Sequence, residues 1–269
     1  MIRGESLQGG RNREQKIQDI VKEILVGAGL YEITTYSLGS TEDFDRMRFE
    51  DDSSKRKCIR IQNPIGEDLS IMRTSMIPSM LSVIKRNYNK KNEEAGLFET
   101  GRVYLPLYDE ESKLPLEKNK LIIGMYGGYD FYDVKGIVEL LLSNLGIKKY
   151  EIEREQLDPS FHPGKTAKLF IRRKEAGIMG EIHPDVLENY DIPIAVYICE
   201  LDFDMLIEEA DQIKHFKQLP KYPSVDRDIA LLVDKNIPVS EIEDIARKQG
   251  KGLIESIKLF DVYEGEQIP

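Results

Sequence analysis

The stretch AKLFIRRKEAGIMGEI, residues 167–182, decides the fold class of this 269-residue chain. Two short, mostly apolar runs, 167–173 and 176–182, flank the charged pair Lys-Glu, which is the pattern of a β-hairpin. A third run of the same kind, AVYICELD, follows at 195–202. Because a hairpin joins antiparallel strands, the stretch predicts an antiparallel sheet.

Helices and further strands surround this hairpin in the sequence. Apolar residues recur at intervals of three and four along several segments, which predicts helices that bury one face. The predicted helices are 14–28, 75–89, 132–146 and 183–190, and the further strands are 31–37, 96–106 and 120–126. The first part of the chain is therefore expected to be an α+β domain with helices flanking the sheet.

A polar segment that ends in two prolines, EEADQIKHFKQLPKYP, interrupts the pattern near residue 208. We place a domain boundary there, with a first domain at 1–208, a linker at 209–218 and a second domain at 219–269. The second domain is predicted to contain a strand at 225–233, a helix at Val239–Gln249 and a strand at 253–263, which is a single β-α-β unit.

Composition limits the classes of function. Apolar residues make up 41% of the chain, which is enough for a buried core, and the net charge is −10. A free-standing nucleic-acid binder is usually basic, so any nucleic-acid contact must be local, weak or shared with a partner. No run of about 18 apolar residues is present, which argues against a membrane span. Cys58 and Cys199 are far apart, so we expect no disulfide and a cytoplasmic protein.

Motifs for metal binding and for common catalytic chemistry are missing from the sequence. The three histidines, His162, His183 and His215, are scattered, and no His-x-x-x-His or Cys-x-x-Cys pair occurs. Neither a G-x-S-x-G nucleophile elbow nor a phosphate-binding G-x-x-x-x-G-K-[ST] loop is found. We therefore expect no catalytic, metal-binding or cofactor-binding residue in this chain.

The residues of two loops can each be interpreted either as ligand-binding or as structural. In NPIGEDLSIMRTS (63–75), Arg73 precedes a predicted helix and is either a ligand-binding residue or a structural residue that locks the loop. In FHPGKTA (161–167), His162 and Lys165 either contact a phosphate or carboxylate, or belong to a tight turn that leads into a strand. The structural interpretation is the favoured one for both loops.

Six segments, in order, resemble the β subunit of bacterial phenylalanyl-tRNA synthetases. They are NPIGEDLSIMRTSMIPSMLSVIKRNYNKKNEEAGLFETGRVY, DFYDVKG, FHPGKTA, GEIHPDVL, LPKYPSVDRDIALLV and LFDVYEG, and together they cover essentially the whole chain. The resemblance implies that 1–208 has the antiparallel sheet of class II synthetases, flanked by helices, in a catalytic-like domain. It implies that 219–269 is the first half of a ferredoxin-fold anticodon-binding domain, an incomplete βαβ unit.

The resemblance also implies partners. In this family the α subunit makes the aminoacyl adenylate with ATP and Mg, and the β subunit supports it in an α2β2 assembly that charges tRNA(Phe) with phenylalanine. The segment LFETGRVY falls where the second class II motif strand would lie. It keeps Glu99 and Arg102 but lacks an adjoining ATP-binding set, so both are expected to be structural and salt-bridged across the sheet. Arg73 and His162 are grouped with them as structural or interface residues.

In the second domain, the resemblance makes Arg227 and Lys221 the candidates for contact with RNA. The alternative for Arg227 is an internal clasp with Asp226 and Asp228. The segment 219–269 has seven Lys and Arg residues against ten Asp and Glu residues, so its charge does not favour RNA.

The function expected from the resemblance is that of a non-catalytic β-subunit portion, and the chain is expected to be a fragment that ends within the anticodon-binding fold. Two alternatives stay open. One is a stand-alone interaction or RNA-binding module derived from a synthetase. The other is an independently active class II enzyme that activates an amino acid.

Overall fold

The computed structural model describes residues 9–106, 114–213, 216, 223–234 and 237–263. Contacts divide the chain into two compact units, Met1–Lys214 and His215–Pro269. Within the described ranges, none of the helices combines the length and the apolar character that crossing a bilayer requires. Ala210 is buried in the first unit and the Asp211 N–H donates to the Leu145 carbonyl, so the chain stays packed on that unit past residue 208. The domain and linker boundaries stay predictions.

The first unit alternates helices and strands along the chain. Its helices are α1 (Arg13–Gly27), α2 (Glu42–Arg46), α3 (Ile77–Asn89), α4 (Phe131–Asn144), α5 (Pro184–Asn189) and α6 (Phe203–Glu209). Its strands are β1 (Tyr31–Glu32), β2 (Leu38–Gly39), β3 (Ile71–Met72), β4 (Ala95–Leu105), β5 (Leu116–Tyr126), β6 (Tyr150–Arg154), β7 (Phe161–Ile171), β8 (Lys174–Ile182) and β9 (Val196–Asp202).

Seven of these strands form one sheet in the order β1-β4-β5-β9-β8-β7-β6, and β2 pairs separately with β3. Strand β1 is parallel to β4, whereas the other pairs within the sheet are antiparallel. The predicted α+β class with a largely antiparallel sheet is confirmed. Strand β9 lies in the middle although it comes last in the chain, so it joins the part formed by β4 and β5 to the part formed by β6, β7 and β8.

Successive side chains along a strand point to opposite faces of the sheet, and here apolar side chains lie on both faces. Helices therefore cover both faces. On β5, Leu121 and Ile123 pack in one core with α1, α4 and α6, and we call this side the first face. Ile122 and Tyr126, one position out of step, pack in a second core with α2, α3 and α5, and we call this side the second face. The helices could be predicted from the sequence because the apolar stripes along them are the surfaces that these two cores bury.

Helix α1 begins where the sequence provides a cap. The Asn12 side chain accepts a hydrogen bond from the Gln15 N–H at 2.8 Å, and the Gln15 side chain accepts one from the Asn12 N–H at 3.0 Å. This reciprocal arrangement satisfies two donors that the first turn of a helix leaves free. Helix α1 then buries Ile17, Val21 and Leu25 on the first face.

The strand predicted at 31–37 is much shorter, since only Tyr31–Glu32 pairs with β4. Ile33 still donates to the Phe98 carbonyl at 2.8 Å, but Thr35 then bonds to a side chain, that of Glu99. The chain therefore leaves the sheet because a buried carboxylate takes the N–H that a longer ladder would have used.

The predicted hairpin at 167–182 is present, but its turn lies at Arg172 and Arg173 rather than at the Lys-Glu pair. The predicted tight turn in FHPGKTA is replaced by the first part of β7. Phe161 pairs with Ile182 and Thr166 with Gly180, so the two strands are out of step between these pairs, which marks a bulge.

In the second unit, helix α7 (Val239–Gln249) is found at the predicted residues. The strands predicted at 225–233 and 253–263 are wrong within the described residues, which show no ladder there. Extended segments become strands only when a neighbour accepts and donates their backbone hydrogen bonds. Their apolar side chains are exposed instead, as in Ile229 and Phe260. Of the predicted βαβ unit, only the helix is observed among the described residues.

Candidate functional site

A polar network lies on the second face of the sheet, between strands β4 and β9 and the segment that leads into α3. Glu99 on β4 and Glu200 on β9 both stand opposite Ile122 on β5, so the two carboxylates occupy one row across the sheet. Such a pair of acids on a sheet face is the arrangement in which an active site or a structural anchor would be sought. The partners of the two acids distinguish these possibilities.

Arg73 supplies the cation of this network and is only 5% exposed. Its Nε donates to the Arg102 carbonyl at 2.8 Å, and its Nη1 donates to the Thr35 hydroxyl at 2.8 Å and to the Tyr36 carbonyl at 3.3 Å. Its Nη2 lies 3.6 Å from Glu99 Oε1. Through these bonds the Arg73 guanidinium links the segment before β2, at Thr35 and Tyr36, to strand β4.

Glu99 completes the same network from the sheet and is also 5% exposed. Its two oxygens accept from the Thr35 N–H at 3.1 Å and from the Thr35 hydroxyl at 2.7 Å. A buried carboxylate is stable only when charge and hydrogen bonds compensate its lost hydration, and Arg73 and Thr35 provide both.

Gly101 makes room for the arginine. A Cβ at this position would lie 2.3 Å from Arg73 Nη2 and 2.8 Å from Met76 Cε, which is closer than atoms approach without bonding. The Arg73 guanidinium crosses β4 at this position. Only glycine leaves room for it, which explains the glycine two residues after Glu99 in the FETGR segment.

The second acid, Glu200, holds the start of α3. Its Oε1 accepts from the Ser75 hydroxyl at 3.0 Å and from the Met76 N–H at 2.7 Å. The Ser75 hydroxyl in turn accepts from the Ile77 N–H at 3.2 Å. A carboxylate at the N-terminus of a helix is favoured by free N–H groups and by the helix dipole. Together, Glu99 and Glu200 fix the segment 73–77 across the second face.

The network uses its polar groups internally and offers little to a ligand. The donors of Arg73 and the acceptors of Glu99 point at each other, at Thr35 and at backbone carbonyls. A depression of about 380 Å3 lies elsewhere, on the outer side of α3, where it is lined by Ser82, Lys85, Arg86, Asn89 and Lys90. Within the described residues, no group of three His, Cys, Asp or Glu side chains is arranged to hold a metal ion.

Arg102 and Glu99 form separate ion pairs, Arg102 with Glu117 and Glu99 with Arg73. The Arg102 side chain lies on the opposite, exposed side of β4, where Nη1 bonds to Glu117 at 2.8 Å and Nε bonds to Asn119 at 3.3 Å across the β4–β5 pair. Arg102 contributes to the network only through its carbonyl, which accepts from Arg73.

His162 lies at the bulge of β7 and does not contact this network. Its Nδ1 accepts from the Gly164 N–H at 3.0 Å, which is a local bond within the irregular first part of β7. Lys165 of the same segment pairs with Glu181 on β8, and the Tyr197 hydroxyl donates to that carboxylate at 2.9 Å. Burial and the Glu181 carboxylate raise the pKa of Tyr197 to about 12.

The candidate RNA contacts of the second unit are only partly described. Lys221 lies outside the described residues. Arg227 is exposed, as are its neighbours Asp226 and Asp228. Sequence reasoning missed Glu200, Ser75 and Thr35, whose roles depend on contacts between distant segments, and Gly101, whose glycine in a strand was an available signal.

Comparison with known families identifies this fold. Residues 1–203 match the model of the phenylalanyl tRNA synthetase beta chain CLM domain. The chain belongs to that family. Residues 220–269, which follow the CLM domain, match the model of the ferredoxin-fold anticodon binding domain.

Two curated relatives of this CLM-domain chain have the same name. A protein of Clostridium tetani named phenylalanine--tRNA ligase beta subunit is 48% identical over 269 residues, and one of the same name from Clostridium acetobutylicum is 44% identical over 268 residues. Both alignments cover 100% of this chain but 34% of the relative. The chain thus spans about a third of the length of these relatives.

Solved structures with the same fold include two of pyrrolysyl-tRNA synthetase from Desulfitobacterium hafniense. One superposes with a TM-score of 0.58 at 12% identity and covers 71% of this chain and 66% of the other. The second superposes with a TM-score of 0.60 at 14% identity and covers 73% and 69%. At such identities the likeness concerns the fold alone, which is of the α+β class.

Proposed function

We propose that this chain is part of the β subunit of a phenylalanyl-tRNA synthetase and that it supports a catalytic α subunit without catalysing the reaction itself. Membership of the CLM family and the names of the relatives support the assignment. The observation that carries the non-catalytic role is the closure of the second face by Arg73, Glu99 and Glu200.

Activation of an amino acid with ATP needs an open site in which fixed cations or metal ions stabilise the charge on the reacting phosphates. Arg73 is the buried cation on this face, and its nitrogens already bond to Thr35, Tyr36, Glu99 and Arg102. The segment 73–77 covers the sheet at the same place. In our proposal ATP and Mg are therefore bound by the α subunit, and this chain holds neither.

The edge of the sheet formed by α1 and β1 is the surface that we propose for the α subunit. Strand β1 is only two residues long and is terminal in the sheet as far as the described residues show, so none of the described strands pairs with its outer backbone groups. Tyr31 is 70% exposed there, and Val26 and Tyr36 are exposed nearby in the sequence. A second chain that packs on this edge would cover these side chains. We propose that the assembly is an α2β2 tetramer and that it is located in the cytoplasm.

The second unit is proposed to contribute to the contact with tRNA(Phe). Its match to an anticodon-binding fold supports this role, with Arg227 and Lys221 as the proposed contacts. The ten acidic residues against seven basic ones at 219–269 weaken any general attraction to phosphate, so this contact should be modest and shared with the rest of the assembly.

Co-expression with the α subunit encoded in the same genome tests the proposal. We expect the two chains to co-purify and to sediment as one complex, and we expect the isolated 269-residue chain to show no phenylalanine-dependent exchange of pyrophosphate into ATP. Tyr31→Glu should weaken the association, because it places a charge on the proposed contact edge. Leu157→Glu is the matched control, since Leu157 is 88% exposed and lies in the loop between β6 and β7 at the other edge.

Two results would contradict the proposal. Separate sedimentation of the chains at micromolar concentration would remove the supporting role. Amino-acid-dependent exchange by the isolated chain would show that the second face is catalytic after all.

A further inference from the structure

The tip of the β7–β8 hairpin has an unusual composition. Ile171 pairs with Lys174, so the turn consists of two residues, Arg172 and Arg173. Both have positive φ, 49° and 67°. Two-residue turns of this kind favour Asn and Gly, because a Cβ is crowded in the left-handed region. Two consecutive arginines in such a turn strain the backbone locally. Backbone strain of this kind is often found where the side chains have a functional role.

A second basic loop adjoins this tip. Lys148 and Lys149 follow α4 and precede β6, and β6 pairs with β7 beginning at Tyr150 and Ile171. The Arg172 N–H donates to the Lys149 carbonyl at 3.5 Å, so the two loops are in contact. They bring together five exposed cations, which we call the basic loop pair: Lys148, Lys149, Arg172, Arg173 and Lys174.

Neighbouring acids neutralise only part of this charge. Glu209 pairs with Arg172 at 2.7 Å, and Glu175 pairs with Lys168 at 3.2 Å. Glu151 on β6 is exposed, and the Asp211 carboxylate accepts from the Ile213 N–H. Within the described residues, the other four members of the basic loop pair form no ion pair. This concentration of positive charge stands out in a chain whose net charge is −10.

We propose that the basic loop pair binds the sugar-phosphate backbone of RNA. The proposal goes beyond the proposed function, which places the RNA contact in the second unit. It rests on the proposed function only in that RNA, rather than another polyanion, is taken as the ligand.

The composition of the surface favours RNA over an acidic protein. Protein interfaces are usually built around an apolar core. The two loops expose no large apolar side chain, since Ile147, the apolar member next to Lys148, is buried. Closely spaced Lys and Arg side chains without an apolar anchor suit a ligand with regularly spaced phosphates, which is bound without regard to base sequence.

The test compares variants of the full 269-residue chain for binding to a fluorescein-labelled double-stranded RNA hairpin, followed by anisotropy over a series of salt concentrations. The triple variant Lys148→Ala, Lys149→Ala and Arg173→Gly should bind about tenfold or more weakly at low salt. The slope of log Kd against log salt concentration should fall by about one for each lost phosphate contact.

The single variant Arg173→Gly separates the proposed role from a structural one. Glycine adopts positive φ without crowding, so the thermal midpoint should rise while RNA binding weakens. A residue that served only the hairpin would not change the two readouts in opposite directions. Unchanged RNA affinity in this variant and in the triple variant would overturn the proposal.

The charge-matched control is Arg86→Ala, Lys90→Ala and Lys91→Ala, which removes three positive charges near the end of α3. An equal loss of affinity in this control would attribute binding to general charge and overturn the proposal. Tighter binding of labelled polyglutamate than of RNA would overturn it in favour of an acidic protein partner. Absence of RNA binding by the unmodified chain at low salt would also overturn it, and none of these results affects the association with the α subunit.

Discussion

At the scale of single residues, Gly101 limits the geometry of the second face. Gly101→Ala would place a Cβ 2.3 Å from Arg73 Nη2, so the guanidinium would have to leave Glu99 and the Arg102 carbonyl. Breaking a buried, charged hydrogen-bond network costs about 2 to 4 kcal/mol. We expect the free energy of unfolding, measured by urea denaturation, to fall by about this amount.

Gly136→Ala is the matched control. Gly136 lies within α4, and a Cβ there would meet no atom within 4 Å. Because alanine is the better helix former, this variant should gain about 0.5 to 1 kcal/mol. If Gly101→Ala were as stable as the unmodified chain, Arg73 would not be held by the network that we describe.

Sequence reasoning identified Arg73 and Glu99 separately but did not pair them. The pair forms because the segment before α3 crosses β4, and a contact of that range leaves no local pattern. Glu200 was missed for a related reason, since an acid near the end of the apolar run AVYICELD reads as an ordinary surface residue until α3 is placed above it. The identity of buried residues was thus more predictable than their partners.

At the scale of elements, the short helix α5 depends on a histidine cap. The His183 Nδ1 accepts from the Asp185 N–H at 3.1 Å, which only an unprotonated ring can do. Burial, together with the Arg48 and His162 charges, lowers the pKa of His183 below its ordinary 6.5, although Asp185 acts in the opposite direction.

The sign of the pH dependence follows from this shift. A histidine whose pKa is lowered in the folded state contributes stability above the unfolded pKa, and that stability is lost as the pH falls through the folded pKa. We therefore expect the thermal midpoint to fall between about pH 7 and pH 5. His183→Asn retains a good capping acceptor that does not titrate, so its midpoint should depend less on pH over the same range. Identical pH profiles would assign the dependence to other groups.

The helices were the elements that the sequence predicted best. Helix α7 occupies the predicted residues, and α1 lies within one residue of its predicted bounds, because caps and amphipathic spacing are local signals. Strands were less certain. YEITTYS has the composition of a strand, but only two of its residues pair, and the β7–β8 turn moved by two residues. Strand limits depend on which neighbour is available, and composition does not contain that information.

At the scale of the whole molecule, the two units differ in how their backbones are satisfied. Strands β4 and β5 pair along 11 residues each, and residues 96–99 of β4 and 121–126 of β5 are buried. The described segments 223–234 and 253–263 have no ladder and expose their apolar side chains. Hydrogen exchange of the isolated chain should therefore be fast across these two segments and slow across β4 and β5.

Mass spectrometry of peptides after exposure to deuterated water measures this difference. The peptide that contains α1 serves as an internal reference, because that helix has both a cap and a buried stripe. Protection of 223–234 equal to that of α1 would show that the segment is paired in solution and would restore the predicted strand.

The position of β9 has a consequence for the growing chain on the ribosome. Strand β5 ends at Tyr126, and its second neighbour, β9, begins only at Val196, after the whole of β6, β7 and β8 has been made. Until then the nascent protein exposes two separate partial sheets, each with an open hydrogen-bonding edge of the kind that promotes aggregation. Closure of the sheet must wait until residues 196–202 leave the exit tunnel, so the last strand to be synthesised is the one that unites the domain.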